Sequence, residues 1–215
     1  MDLTKQSNVH VLDHPLLKHK ISQIRKENTE TNEFRALVKE IAVIEGLEAF
    51  RGLETKMVRI KTPIEETVQP VIEPSSLCFV PILRAGLGMV DGMLELIPGA
   101  RVGHIGMYRN EETHEPVEYF CKLPSNIADL EVYLIDPMLA TGGSAIDAVA
   151  ALKKRGVKKI SFLCIIAAPE GVEAFVEAYP DVPIFIGALD RELNENAYIC
   201  PGLGDAGDRI FGTNI

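Results

Sequence analysis

The chain has 215 residues, of which 47% are hydrophobic and 25% charged, and its formal net charge is −9. This composition predicts one globular domain with a substantial core. So acidic a surface repels nucleic-acid phosphate and argues against nonspecific RNA or DNA binding. No apolar stretch approaches the roughly 20 residues that span a bilayer, and neither a signal peptide nor a Cys-x-x-Cys pair is found, so we expect a cytoplasmic protein with reduced thiols.

Residues 1–75 predict two N-terminal helices followed by an extended arm. Leu17, Ile21 and Ile24 share one face of the first helix, which opens at residues 13–15. The second helix follows a capping candidate at Asn32. Its apolar positions at near-helical spacing are Phe34, Leu37, Val38, Ile41, Ala42 and Leu47. Residues 53–70 are polar, contain β-branched side chains and break at Thr62 and Pro63, which favours an extended segment or an edge hairpin.

From Leu77 onward, apolar strands alternate with helices, and residues 76–190 form the predicted core. The predicted strands cover residues 77–83, 101–108, 117–123, 131–135, 160–166 and 184–189, and predicted helices cover 145–155 and 169–179, with a further helical face at Val90, Met93, Leu94 and Ile97. This alternation indicates an α/β fold with a mostly parallel sheet flanked by helices. Strands 101–108 and 117–123 form a hairpin, whose turn at 110–114 we expect to close over the site as a hood.

The run from Asp136 to Ser144 (DPMLATGGS) lies between a predicted strand and a predicted helix. Glycines allow close backbone approach and positive φ, and the first amides of a helix favour an anion. Thr141 and Ser144 add hydroxyl donors, and Asp136 can accept from sugar hydroxyls. The alternative is an ordinary strand–turn–helix corner capped by Ser144, but the complete pattern favours a phosphorylated sugar.

Three other segments follow strands of the predicted sheet. Because ligands bind beyond the carboxyl ends of parallel strands, Arg84, Asp136 and the stretch after Leu189 should lie on one rim. Arg84 can bind pyrophosphate oxygens or simply cover the start of a helix. Arg109 is either a phosphate clamp or a solvated side chain. The glycine-rich tail 198–209 predicts an irregular loop, which either offers main-chain groups to a pyrimidine edge or is a flexible terminus.

Together these residues resemble the type I phosphoribosyltransferases, and among them the uracil phosphoribosyltransferase family. The resemblance covers nearly the whole chain. It is carried by residues 14–16, 81–86, 115–124, 136–144 and 202–208. It implies a single phosphoribosyltransferase domain over residues 1–215, whose C-terminal loop 191–215 binds the base.

The implied reaction transfers the phosphoribosyl group of 5-phosphoribosyl diphosphate (PRPP) to N1 of uracil, giving UMP and pyrophosphate. The catalytic residues it implies are Arg84, Arg109, Asp136 and Asp205. The PRPP-binding residues it implies are Arg84, Arg109, Asp136, Pro137, Met138, Leu139, Ala140, Thr141, Gly142, Gly143, Ser144 and Asp205. The uracil-binding residues it implies are Ile199, Gly204, Asp205 and Ala206.

The resemblance also bears on cofactors and partners. Many type I members carry two adjacent acids before the phosphate loop, whereas here Pro137 follows Asp136; we therefore expect Mg²⁺ to arrive with PRPP, near Asp205, rather than in a protein-built cage. Asp205 is either a base or an organiser of metal and water.

We expect a homodimer or larger homo-oligomer, with the N-terminal helices as candidate interface, and GTP as a possible activator. An RNA-binding regulator and a salvage enzyme for another base are the alternatives.

Overall fold

The computed structural model of the chain describes residues 6–109 and 116–213. The helices are α1 (Pro15–Ile24), α2 (Thr31–Ala49), α3 (Leu87–Leu96), α4 (Gly143–Lys154), α5 (Pro169–Ala178) and α6 (Ala206–Phe211). The strands of the first half are β1 (Val9–Val11), β2 (Lys56–Lys61), β3 (Glu66–Val71), β4 (Leu77–Leu83), β5 (Arg101–Val102), β6 (His104–Arg109) and β7 (Pro116–Lys122). Those of the second half are β8 (Glu131–Ile135), β9 (Met138–Leu139), β10 (Lys159–Ala167), β11 (Ile184–Leu189), β12 (Glu192–Leu193) and β13 (Ile199–Cys200).

The central sheet has the strand order β1–β11–β10–β8–β4–β6–β7, with β5 beside β4 and β9 beside β10. All neighbours along this path are parallel except β6 and β7, which form the predicted antiparallel hairpin. Its turn, residues 110–115, lies outside the described residues. The prediction of a mostly parallel sheet flanked by helices is confirmed.

Alternate residues of each central strand enter one of two cores. Cys78, Val80 and Ile82 of β4 pack with α4 and α5, whereas Leu77 and Phe79 pack with α1, α2, α3 and α6 on the other face. Successive strand side chains point to opposite faces, so a strand buried on both sides is apolar throughout. Because β4, β8, β10 and β11 are parallel, their carboxyl ends lie at the same rim of the sheet. Within the described residues, no helix has the length and apolar character needed to cross a membrane.

Two predictions about α2 are wrong. The residue before the helix is Glu30, which makes no side-chain capping bond, while Asn32 lies inside the first turn. Leu47 is 56% exposed, because thirteen residues after Phe34 place it roughly 220° around the helix, away from the core. Glu45, eleven residues after Phe34, lies only about 20° from it and is buried.

The structure differs from the predictions in three further segments. Residues 56–71 do form a hairpin, but β2 and β3 make a separate two-stranded sheet rather than an edge of the main one. Strand β1 was not predicted and extends the main sheet beside β11. The tail is irregular only in part, since its last residues form α6. Its cap is the Asp205 side chain, which accepts a hydrogen bond from Asp208 N.

Candidate active site

The carboxyl ends of β4 and β8 bring Arg84 and Asp136 to the same rim of the sheet. The corner after β4 packs closely on the end of β8, since a Cβ at Gly86 would lie 2.5 Å from the Ile135 carbonyl oxygen. The tail reaches the same place, because a Cβ at Gly207 would lie 3.9 Å from Arg84 Nη2. The structure therefore brings the three segments together.

The loop after β8 forms a small cup of about 100 Å³ lined by Asp136 and residues 138–145. Helix α4 begins at Gly143, and Gly142 precedes it with φ +87° and no side-chain capping bond. The alternative in which Ser144 caps the helix is therefore wrong. Thr141 and Ser144 are exposed, so their hydroxyls and the uncapped amides of the first turn can bind an anion such as phosphate.

The wall of this cup is held by its neighbours. Strand β9 pairs with β10, and the amides of Ile166 and Ala168 donate to the carbonyls of Pro137 (3.1 Å) and Leu139 (2.9 Å). On the other side, α5 approaches so closely that a Cβ at Gly171 would lie 2.2 Å from the Ala140 carbonyl oxygen. Pro137 and Leu139 are buried, so they contribute to the wall mainly through their main chain.

Asp136 lies at the base of the cup. Its main-chain amide donates to Leu163 O at 3.2 Å, and its Oδ1 accepts from Met138 N at 3.4 Å. The pKa of Asp136 is raised to about 7, mainly by burial and to a smaller extent by the Asp205 carboxylate, and the hydrogen bond from the Met138 amide opposes both. The Asp205 carboxylate of the tail therefore acts electrostatically on Asp136.

The Arg84 side chain is 57% exposed and lies beside α6. Its Nη2 is 3.6 Å from Asp208 Oδ1 and its guanidinium lies 5.6 Å from the Phe211 ring centre. The Leu83–Arg84 peptide is cis. With an exposed guanidinium and a long ion pair, Arg84 is available to a bound anion. Arg109 ends β6, but its side chain lies outside the described residues, as does the predicted hood turn.

The candidate uracil-binding residues lie along the tail. Ile199 is in β13, paired with Leu193 of β12, and its side chain is buried, as is that of Ala206. Gly204 has φ +79°, and it is exposed together with Asp205. Only the main chain of Ile199 and Ala206 can therefore contact a base, whereas Asp205 can also offer its side chain.

Two side chains next to the tail were not predicted as functional. Asp190 follows β11 directly and is 8% exposed; Arg25 forms an ion pair with it. An acid at the end of an apolar strand is the signal that drew attention to Asp136, so Asp190 was detectable from the sequence. For Arg25 the sequence carries no such signal, because its partners are 165 and 177 residues away.

Solved structures share this architecture. The AQ2163 protein of Aquifex aeolicus superposes with a TM-score of 0.91 at 37% identity, covering 96% of this chain and 99% of that one. Adenine phosphoribosyltransferase of Trypanosoma brucei gives a TM-score of 0.56 at 16% identity over 94% of this chain and 90% of that one, which is a likeness of fold. The chain therefore has the fold of the type I phosphoribosyltransferases, with the cup at the carboxyl rim of its sheet.

Sequence comparisons narrow this class. The family model for uracil phosphoribosyltransferase matches residues 11–213. The uracil phosphoribosyltransferase of Agathobacter rectalis is 62% identical over 205 residues, 95% of this chain and 98% of the relative. That of Lachnoclostridium phytofermentans is 59% identical over 207 residues, 96% of this chain and 99% of the relative. The chain belongs to the uracil phosphoribosyltransferase family.

Proposed function

We propose that this protein transfers the 5-phosphoribosyl group from PRPP to N1 of uracil, giving UMP and pyrophosphate. The observation that carries the proposal is that the cup, lined by Asp136 and residues 138–145, meets the glycine-rich tail at one rim of the sheet. A cup alone would hold a phosphorylated sugar, but the tail beside it supplies main-chain donors and acceptors for a planar base. Membership in the family supports the same reaction.

In this reaction the bond between ribose C1 and the pyrophosphate oxygen breaks, the bond from C1 to uracil N1 forms, and the N1 proton is released. Positive charge grows on the ribose while negative charge grows on the leaving pyrophosphate, so positioning and electrostatic stabilisation dominate. The cup amides and the hydroxyls of Thr141 and Ser144 would hold the 5-phosphate. Asp136 would accept from the ribose hydroxyls, and Arg84 and Arg109 would bind the pyrophosphate.

The base would lie against the tail. Gly204, Asp205 and Ala206 would present their main chain to the edge of uracil, where carbonyl and N–H groups alternate. The main chain of Ile199 would complete that edge. Asp205 would lie beside both substrates, because it caps the start of α6, and Asp208 of the same helix lies 3.6 Å from Arg84. A cytosine edge reverses one donor and acceptor pair, so a fixed main chain discriminates against it.

Magnesium bound with PRPP is part of the proposal. The described residues contain no group of three or more His, Cys, Asp or Glu side chains able to hold a metal ion, but Asp205 can offer one carboxylate oxygen. Mg²⁺ commonly takes one or two carboxylates and completes its shell with water and substrate phosphates, a set that PRPP and Asp205 would provide. When bound, Mg²⁺ stabilises negative charge on pyrophosphate.

The proposal also includes an activator, an oligomeric state and a location in the cell. Family membership supports activation by GTP, tested by adding GTP to the assay. The exposed apolar side chains of β2 and β3 support a homo-oligomer. A cytoplasmic location is supported by Cys78, Cys121, Cys164 and Cys200, all of which are free thiols, as is usual in a reducing compartment.

The direct test is product detection with PRPP, Mg²⁺ and uracil, in parallel with cytosine and hypoxanthine. We expect UMP from uracil and no nucleotide from the other two bases. A nucleotide formed only from hypoxanthine would contradict the proposal in favour of purine salvage. Salt-sensitive retention of RNA on a filter, with no product from any base, would instead favour an RNA-binding regulator.

A further inference from the structure

We propose that Arg25 and Asp190 are positioning residues for the base, which hold the loop 199–206 in the shape that presents its main chain to uracil. The inference rests on the proposed function. Neither residue belongs to the cup or to the predicted base-binding set, and both act through Gly202.

Asp190 anchors this arrangement to the sheet. It follows β11 directly, and its amide donates to Ala167 O of β10 at 2.8 Å. Its side chain is only 3% exposed. Oδ2 accepts from Gly202 N at 2.9 Å and from Arg25 Nη1 at 2.8 Å, while Oδ1 accepts from Arg25 Nη2. A buried carboxylate with these donors fixes the loop far more rigidly than an exposed ion pair would.

Arg25 also binds the main chain of Gly202. Besides Asp190, its Nη1 donates to Gly202 O at 2.7 Å, so one ion pair binds both the N–H and the C=O of the same residue. Gly202 has φ +65°, and a Cβ there would lie 2.1 Å from Ile199 O. The chain thus makes a turn at Gly202 that only glycine permits, two residues before Gly204.

Arg209 binds the main chain of the next loop residue, Leu203. Its Nη1 donates to Leu203 O at 2.7 Å and to Ile24 O at 3.0 Å, and its Nη2 donates to Lys26 O at 2.6 Å. The guanidinium also stacks 4.5 Å from the Phe34 ring centre. Arg25 and Arg209 therefore join residues 202–203 to the end of α1.

The cup is anchored separately, by pairing of β9 with β10 and by contact with α5. Loosening Gly202 should therefore displace the main chain of residues 199–204 that faces uracil. The PRPP groups should stay in place, because the cup is anchored by β10 and α5, and Asp205 is anchored to α6 by accepting from Asp208 N at 2.8 Å. Because a misplacement of about 1 Å can cost roughly a hundredfold in rate, the pair controls the use of uracil without touching it.

The test measures KM for uracil and for PRPP in Arg25→Lys and Asp190→Asn. Lysine keeps the charge but cannot bond Asp190 and Gly202 as a planar fork, and asparagine keeps one acceptor for Gly202 N. Losing charge-assisted hydrogen bonds should raise KM for uracil roughly tenfold to a hundredfold, with KM for PRPP unchanged. The control is Arg101→Lys, since Arg101 also joins two segments, through Ser75 O (3.2 Å) and Asn126 Oδ1 (3.0 Å), away from the tail.

The outcomes separate the inference from the proposed function. If the unmodified protein forms no UMP, the proposed function fails. If it does form UMP but either variant keeps its KM for uracil, or raises both KM values together, the positioning role is overturned. Insolubility of Arg25→Lys would overturn it too, because the pair would then serve the fold rather than the base.

Discussion

Asp136 differs from an ordinary aspartate in the pH range over which it releases its proton. Burial and the Asp205 carboxylate raise its pKa from 3.8 to about 7. Between these values the folded protein keeps a proton that the unfolded chain has lost, so the free energy of unfolding falls as pH rises through this window. Asp136 accepts hydrogen bonds from ribose hydroxyls best when it is ionised, and its ionisation in the folded protein lowers the free energy of unfolding.

Replacing Asp136 with asparagine should remove that loss of stability and impair catalysis. We expect Asp136→Asn to match the unmodified protein in unfolding free energy near pH 4 and to exceed it at pH 8. An amide is a weaker acceptor than a carboxylate, so kcat/KM for PRPP should fall roughly tenfold to a hundredfold. Denaturant unfolding at both pH values, with steady-state kinetics at pH 8, measures both effects. Lower stability at pH 8 would show that Asp136 serves the fold instead.

Glu45 is a second carboxyl group whose pKa burial raises, and it lies in the core rather than in the site. It is fully buried on α2, and neither carboxylate oxygen has a hydrogen-bond partner among the described residues. A Cβ at Gly187 would lie 2.6 Å from Oε1. Cys164 of β10 is a neighbouring thiol whose pKa is raised mainly by burial and also by Glu45 and Asp136. Burial alone raises the pKa of Glu45 well above its usual value.

Glu45→Met should stabilise the protein, because methionine fills similar space without an unsatisfied polar group. The gain at pH 7 should be about 1–3 kcal/mol, and it should shrink toward pH 4, where the unfolded chain is protonated as well. Urea unfolding between pH 4 and pH 8 measures this trend. Glu177→Met, on the exposed face of α5, is the control and should change stability by less than about 0.5 kcal/mol. A destabilised Glu45→Met variant would contradict the argument.

Among the strands and helices, the sequence patterns predicted those elements that are determined by residues close together in the chain. The strands 77–83, 131–135 and 184–189 were placed correctly, because a strand buried on both faces is a continuous apolar run. The patterns did not reveal contacts between distant parts of the chain. Strand β1 has three residues and forms by pairing with β11. Helix α6 is too short for a helical pattern to be recognised in a glycine-rich segment.

The candidate site likewise has one part that the sequence predicts and another part that it does not. The cup could be predicted because glycines, hydroxyls and an acid lie within nine consecutive residues. The hold of Arg25 on Gly202 could not, since it joins the end of α1 to the tail across 177 residues. The roles of the predicted site residues, and that of Arg109 in particular, stay predictions.

The cup depends on the turn between β9 and α4. Gly142 has φ +87°, and a Cβ there would lie 3.0 Å from the Gly171 carbonyl oxygen. Gly142→Ala should therefore cost about 1–2 kcal/mol in strain and raise KM for PRPP by displacing the amides of α4. The control is Gly52→Ala, where the new methyl group would meet nothing within 4 Å. Equal KM values for PRPP in the two variants would exclude this turn from phosphate binding.

At the scale of the molecule, the β2–β3 hairpin lacks the burial that normally stabilises a sheet. Every residue of β2 is exposed, as are all but one of β3. Val58 is 40% and Ile60 37% exposed, and Ile64 in the turn is 91% exposed. An isolated two-stranded hairpin is marginally stable in water, and exposed apolar patches mark contact surfaces. The proposed oligomer accounts for both features if a second copy covers the hairpin.

Charges on the hairpin should then dissociate the oligomer. We expect the double variant Val58→Lys and Ile60→Lys, whose side chains share one face of β2, to shift the mass measured by light scattering towards the monomer. Leu16→Lys with Leu47→Lys is the matched variant on the N-terminal helices, where both leucines are about half exposed, and it tests the interface predicted from the sequence. Dissociation by the helix variant alone would assign the interface to α1 and α2, because a lysine disrupts association only where its charge loses contact with water.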